Sequence, residues 1–153
     1  MTEHTLLYVG DCSDGSPAYE SVHLAPTNKG TYKVLFTPGL AYDIAAEDEI
    51  ELFDGGRYRV ITRGGNLAVR VFSETQFDDS SEQLINAVVT ELSGRLDGRI
   101  DRGLAFTIPV RAGFPAVQKV FGEYLQTNPA AVWEYGNVYD ENGTPIEWWG
   151  TTS

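Results

Sequence analysis

Residues 36–72, which read FTPGLAYDIAAEDEIELFDGGRYRVITRGGNLAVRVF, decide the fold. A Pro38-Gly39 pair leads into an acidic loop, and three short alternating runs follow at 49–53, 57–63 and 66–73. Two glycine pairs separate these runs, and tight hairpins need the positive φ angles that glycine adopts easily. The stretch therefore predicts antiparallel strands joined by short turns.

Upstream of this stretch, the sequence predicts further strands at 5–10, 18–25 and 31–37, because apolar and polar residues alternate there. About six short strands joined by regular turns are typical of a small, strongly bent sheet or a barrel. Leu40, Ile44 and Tyr42 are expected to hold the acidic loop on the core. We therefore expect residues 1–75 to form a β-rich, barrel-like half.

The hydrophobic period changes after residue 75. Ser80 and Gln83 fit a capping box, and Leu84, Val88 and Leu92 then recur at helical spacing. Strands at 97–101 and 104–110, a helix beginning at Pro115 and a strand at 131–139 follow. From residue 66 the order is strand–helix–strand–strand–helix–strand, the ferredoxin-like split βαβ pattern. The fold class is thus α+β, with residues 76–153 as the ferredoxin-like half of one compact unit with a shared core.

The net charge of the chain limits the classes of molecule that it is expected to bind. The chain carries 11 Lys and Arg residues against 22 Asp and Glu residues, for a net charge of −11. Nucleic-acid binding draws its affinity from cationic side chains on phosphates, so this composition argues against it. The excess of negative charge creates an electrostatic field that attracts a basic protein partner. No Lys or Arg occurs from Phe121 to Ser153.

Catalytic and metal-binding patterns are absent from the sequence. His4, Cys12 and His23 have no recognised ligand spacing, and Glu20 and His23 point to opposite faces of one predicted strand. The cluster DCSDGS at 11–16 is most simply a solvated turn. No G-x-S-x-G elbow or phosphate-binding glycine loop occurs. We expect no catalytic site, no metal and no cofactor.

Location follows from three features of the sequence. No apolar run approaches the roughly 20 residues needed to cross a bilayer. The N-terminal residues lack a signal-like pattern, and the single Cys12 suits a reducing compartment. We expect a cytoplasmic protein without membrane contact. The oligomeric state stays open.

The chain resembles a bacterial family of small proteins known only as a domain of unknown function. The resemblance runs from about Tyr19 to Gly136, through YESVHLAPTNKGTYKVLFTPGLAYDIAAEDEIELFDGGRYRVITRGGNLAVRVF, IDRGLAFTIPV, FPAVQKVFGEYL and WEYG. It implies bacterial origin and a two-part architecture. It supplies no catalytic residues.

Two surfaces are candidates for partner binding. The first is an acidic loop, whose candidate residues are Glu47, Asp48, Glu49, Glu51 and Asp54. The second is an acidic–aromatic edge, whose candidate residues are Glu134, Tyr135, Trp148 and Trp149. Tryptophan and tyrosine are enriched at interface hot spots, although packing on the core explains the two tryptophans equally well.

The hypothesis that follows is a non-enzymatic immunity or antitoxin protein that blocks a basic, nuclease-like toxin. The alternative is a regulatory domain that binds a small molecule between its halves, in a pocket lined by Tyr19, Tyr42 and Tyr58. An enzyme is the third possibility, and it requires a deep pocket with His23 beside a carboxylate.

Overall fold

The computed structural model describes residues 3–140 and 142–151. Within these residues, nine strands and two α-helices make up an α+β fold, as the sequence predicted. In chain order the elements are β1 (Glu3–Asp11), β2 (Pro17–Pro26), β3 (Tyr32–Val34), β4 (Glu49–Leu52), β5 (Tyr58–Thr62), β6 (Asn66–Ser73), α1 (Ser80–Leu92), β7 (Arg95–Ile100), β8 (Gly103–Pro109), α2 (Phe114–Thr127) and β9 (Ala131–Tyr135). Neither helix within these residues is long and apolar enough to cross a membrane.

The first five strands form one antiparallel sheet in the order β1-β2-β3-β4-β5. Its inner face buries a cluster that includes Leu7, Leu24 and Ile50. The sequence was compatible with either a barrel or a bent sheet. Among the described strands, the sheet does not close into a barrel. A Cβ on Gly56 would lie 2.8 Å from the carbonyl oxygen of Leu6, so the turn before β5 comes back to the free edge of β1.

The acidic loop between β3 and β4 differs in part from the sequence prediction. Strand β3 ends at Val34, so Phe36 leaves the sheet and is 44% exposed. Ile44 is fully buried as predicted, whereas Leu40 and Tyr42 are 53% and 48% exposed. Small residues occupy the inner positions instead, since Ala41 is completely buried. The loop packs closely because alanine, not tyrosine, faces inward.

The remaining four strands form an antiparallel sheet in the order β7-β8-β6-β9. This is the ferredoxin-like order predicted from the element pattern. Helices α1 and α2 cover one face, where Val69, Val88, Phe106 and Phe121 belong to one buried cluster. β9 is an edge strand and ends at Tyr135, four residues earlier than predicted.

Loop residues 37–46 cover the opposite face of this second sheet. The Thr37 backbone N–H donates to Asp97 Oδ2 at 2.8 Å, and Asn66 Nδ2 donates to the Ala46 carbonyl oxygen at 2.9 Å. The Asp43 N–H donates to the Gly136 carbonyl oxygen at 2.8 Å. The two sheets are thus joined through the loop. The second sheet already begins at Asn66, and the division into halves at residues 75 and 76 stays a prediction.

Candidate partner-binding groove

A groove opens beside the edge strand β9. Its volume is about 750 Å³. Its lining is aromatic and acidic: Tyr42, Gln118, Trp133, Glu134, Tyr135, Tyr139, Asp140 and Gly143. Glu134 and Tyr135 were predicted to bind a partner, and the structure places both here. Tyr139, Asp140 and Gln118 were missed as site residues, although the run without Lys or Arg after Phe121 was a signal for the first two.

Packing holds the aromatic side of the groove in place. The Trp133 and Phe121 rings stack with centroids 5.3 Å apart, and Trp133 meets Tyr135 edge to face at 5.1 Å. Phe114 of α2 packs against Tyr135 at 5.3 Å. Because Trp133 and Tyr135 alternate with Glu134, the rings face the helices while the carboxylate faces the loop side of the sheet. The groove therefore wraps around the free edge of β9.

Negative charge dominates the lining. Among the described residues, no Lys or Arg lines the groove, while Glu134 and the exposed Asp140 do. Arg70 lies underneath, with its Nη1 atom 3.9 Å from Glu134 Oε1 and only 1% of its side chain exposed. Burial lowers the pKa of this guanidinium, and the Glu134 carboxylate opposes that effect.

Two buried polar atoms beside the groove lack hydrogen-bond partners within the part of the chain that the structure describes: Arg70 Nε and Tyr135 Oη. Burial raises the pKa of the Tyr135 phenol to about 12, and the Gln118 side chain opposes that effect; the hydroxyl carries its hydrogen at neutral pH, as an unperturbed tyrosine also does. A hydroxyl that carries its hydrogen can donate to an incoming group or accept from one.

The two tryptophans near the C-terminus have different environments. Trp148 is 7% exposed, and its Nε1–H donates to the Asn137 carbonyl oxygen at 2.8 Å. It belongs to the core cluster, so the prediction that Trp148 offers a partner surface is corrected. Trp149 is half-buried against Phe114, with ring centroids 5.1 Å apart. Trp149 thus supports the residue that packs on Tyr135.

Much of the predicted acidic loop is engaged internally. Asp48 is fully buried and accepts hydrogen bonds from the backbone N–H groups of Ala45 and Gly64, so it is removed from the docking surface. Glu47 lies 3.5 Å from Lys33 Nζ, and Glu51 lies 2.6 Å from Arg59 Nη2. Glu49 accepts a hydrogen bond from Thr31 at 2.5 Å. Asp54 is exposed in the turn before β5.

A second cleft, of about 880 Å³, lies between the first sheet and the loop residues Tyr42 and Asp43, and is called the junction cleft. Its aromatic lining residues are Tyr8, Tyr42, Tyr58 and Tyr139. Tyr42 and Tyr58 were predicted to line such a pocket, and they do. Tyr19 does not line it; its ring packs against Tyr8 with centroids 6.1 Å apart. Arg57 lies over the Tyr8 ring at 5.0 Å.

Comparison with known proteins places the chain in a family. The model of the domain of unknown function DUF4265 matches residues 20–133, which is most of the chain. The chain belongs to the DUF4265 family. This confirms the resemblance seen in the sequence. No curated protein matches the chain.

One solved structure extends the comparison of this DUF4265 protein. A hypothetical protein from Neisseria gonorrhoeae has a similar fold, with a TM-score of 0.65 and 17% sequence identity. The similarity covers 88% of this chain and 92% of that one. At this identity the likeness shows the shared architecture.

Proposed function

We propose that this chain is a non-enzymatic binding protein that blocks a basic protein. Its most concrete form is a bacterial immunity or antitoxin protein directed against a basic, nuclease-like toxin. We also propose a cytoplasmic location, in keeping with the single Cys12.

The observation that carries this proposal is the groove beside β9. Lysine and arginine side chains bind well where aromatic faces and carboxylates lie together, because the ring quadrupole and the anion attract the same cation. Tyr42 and Tyr139 line the groove together with the carboxylates of Glu134 and Asp140, while Trp133 lines it from the helix side of β9. A cation–π contact contributes about 0.5–2 kcal/mol, depending on how far it is desolvated.

The charge of the whole chain supports the same partner. A net charge of −11 attracts a basic protein from a distance and raises the rate of association. An acidic inhibitor also fills a cationic active-site cleft by charge complementarity. The groove then supplies the local contacts and the net charge supplies the steering.

Co-expression with the product of the adjacent gene tests this function. We expect the neighbouring gene to encode a basic, toxin-like domain that co-purifies with this chain at low salt. Since exposed charges are screened by salt, the complex should weaken as the ionic strength rises. A neighbour without a toxin-like domain, together with no basic partner retained at low salt, would contradict the proposal.

The junction cleft favours a second candidate function, a regulatory domain that binds a small molecule. Small-molecule sites are mostly concave and aromatic with a few polar groups, and this cleft has four tyrosines and Arg57. A ligand that binds the folded chain raises its melting temperature. A metabolite screen that never shifts the melting temperature would count against this candidate.

A further inference from the structure

Two histidines that are far apart in the sequence lie side by side in the first sheet. His4 in β1 is directly opposite His23 in β2. Both side chains are on the outer face of the sheet, since their neighbours Val22 and Leu24 point into the core. The two histidines are 19 positions apart in the sequence, so no ligand spacing revealed the pair.

The two imidazole rings approach one another through the same atom, Nε2. Their Nε2 atoms are 2.8 Å apart, and the ring centroids are 3.9 Å apart at an angle of 66°. Two nitrogens at this distance coexist when one carries a hydrogen that it donates to the other, or when a cation lies between them. Both arrangements need at least one ring with a free Nε2 lone pair.

Neighbouring side chains hold both rings in this orientation. The Ser21 Oγ atom lies 3.3 Å from His4 Nδ1. A hydrogen on Nδ1 that is donated to this hydroxyl leaves the lone pair of His4 on Nε2. The Phe36 ring packs edge to face on His23 at 5.3 Å. The pair thus has an oriented hydrogen-bond partner on one ring and an apolar cover on the other.

We propose that His4 and His23 bind one divalent late transition-metal ion through their Nε2 atoms, with Zn²⁺ as the reference ion. Imidazole is a preferred ligand of zinc, copper and nickel. Zinc–nitrogen bonds of about 2.0–2.1 Å in tetrahedral geometry separate two nitrogens by about 3.3 Å, so the two nitrogens move apart and the two rings turn until both lone pairs aim at the ion. On binding, the hydrogen of the donating ring moves from its Nε2 to its Nδ1, and both lone pairs go to the metal.

Water completes the coordination. Among residues 3–140 and 142–151, no group of three His, Cys, Asp or Glu side chains is placed to hold a metal ion. With two protein ligands the ion exchanges readily. This site is separate from the groove, and its test does not depend on the proposed function.

Titration of the full chain with Zn²⁺ in an isothermal calorimeter tests the site. We expect one ion per chain, and we expect His4→Gln and His23→Gln each to abolish this binding. Ser21→Ala keeps both ligands but frees the His4 ring, so it should weaken binding by about 10-fold. In nitrogen NMR spectra, zinc should shift the Nε2 resonances of both rings.

Cys12→Ser is the matched control, because Cys12 is an exposed thiol that could itself take up zinc. This variant should bind like the wild type. Melting curves of each variant report whether it is folded. Wild-type chain that does not bind one ion, binding that survives loss of either histidine, or binding that disappears with Cys12 would each overturn the proposal.

Discussion

The guanidinium carbon of Arg70 lies 5.8 Å from the centre of the Tyr42 ring. Arg70 is buried in the second sheet and donates hydrogen bonds to the carbonyl oxygens of Leu40 and Ala41. One buried cation therefore fixes the loop that carries Tyr42, and Tyr42 lines both the groove and the junction cleft. The shape of the candidate site depends on this side chain.

Replacing Arg70 with methionine keeps most of the volume and removes the hydrogen bonds. The carbonyl groups of Leu40 and Ala41 lose their donor, and Glu134 loses the cation beside it. We expect the free energy of unfolding to fall by about 3 kcal/mol, measured by urea denaturation.

Arg59→Met is the control for this change. Arg59 also pairs with a carboxylate, that of Glu51 at 2.6 Å, but its side chain is 66% exposed. Exposed ion pairs contribute between about 0 and 1 kcal/mol, so this variant should be nearly as stable as the wild type. Equal losses in the two variants would contradict the structural role of Arg70.

Glu20 holds the start of the same loop. Its carboxylate accepts hydrogen bonds from the backbone N–H groups of Gly39, Leu40 and Ala41 at 2.7, 3.0 and 2.7 Å. Glutamine has a single acceptor oxygen, so Glu20→Gln should reduce the free energy of unfolding by about 1–3 kcal/mol. Glu91→Gln changes an exposed carboxylate of α1 and should have little effect. A stable Glu20→Gln variant would show that these hydrogen bonds do not hold the loop.

Two glycines should respond to alanine in opposite directions. A Cβ on Gly136 would lie 2.8 Å from Arg70 Nη2, whereas a Cβ on Gly122 meets nothing within 4 Å. Gly136→Ala should therefore lower the melting temperature. Gly122 lies inside α2, so Gly122→Ala should raise stability by about 0.5–1 kcal/mol. If both variants are more stable than the wild type, the close contact between Gly136 and Arg70 is contradicted.

The free energy of unfolding should depend on pH because the carboxyl group of Asp48 titrates at different pH values in the folded and unfolded chain. Burial raises the pKa of its carboxyl group to about 6, above its unfolded value near 3.8. The folded chain therefore holds this proton to higher pH than the unfolded chain does. The contribution is fully present below about pH 4 and is lost as the pH rises through about 6.

Asp48→Asn removes the titrating group and isolates this effect. Between pH 4 and pH 7 the wild type should lose stability relative to the variant, on the order of 2 kcal/mol. Urea denaturation at the two pH values measures the difference. A difference that stays constant, or changes in the opposite direction, would show that Asp48 is not held in a desolvating site.

The local parts of this fold could be predicted from the sequence. Alternation between apolar and polar residues located β6, and the helical spacing of Leu84, Val88 and Leu92 located α1. These patterns depend on near neighbours in the chain. The order of strands and helices from residue 66 then limited the topology to the split βαβ arrangement.

Other features could not be predicted, because they depend on contacts between distant segments. Trp148 is buried because its indole reaches the Asn137 carbonyl group. Asp48 is buried because Ala45 and Gly64 offer backbone donors. His4 meets His23 only in the register of the β1–β2 hairpin. A single sequence carries no signal for such pairings.

The groove itself was predicted in part. Glu134 and Tyr135 came from the acidic and aromatic composition of the C-terminal segment, which is local information. Tyr42 was assigned to the core side of the acidic loop and to a pocket between the halves, and not to the groove. It reaches the groove because the loop folds back over the second sheet, and Arg70 fixes it there.

The most direct test of the proposed function is the affinity for the basic product of the neighbouring gene, measured by calorimetry at low salt. Two double variants should be compared, Glu134→Gln with Asp140→Asn in the groove and Glu91→Gln with Glu123→Gln on the helices. Both remove two negative charges, so both weaken long-range steering equally. We predict that the groove variant loses about 10-fold or more in affinity, while the helix variant loses much less. Equal losses in the two variants, or no loss in the groove variant, would contradict binding in the groove.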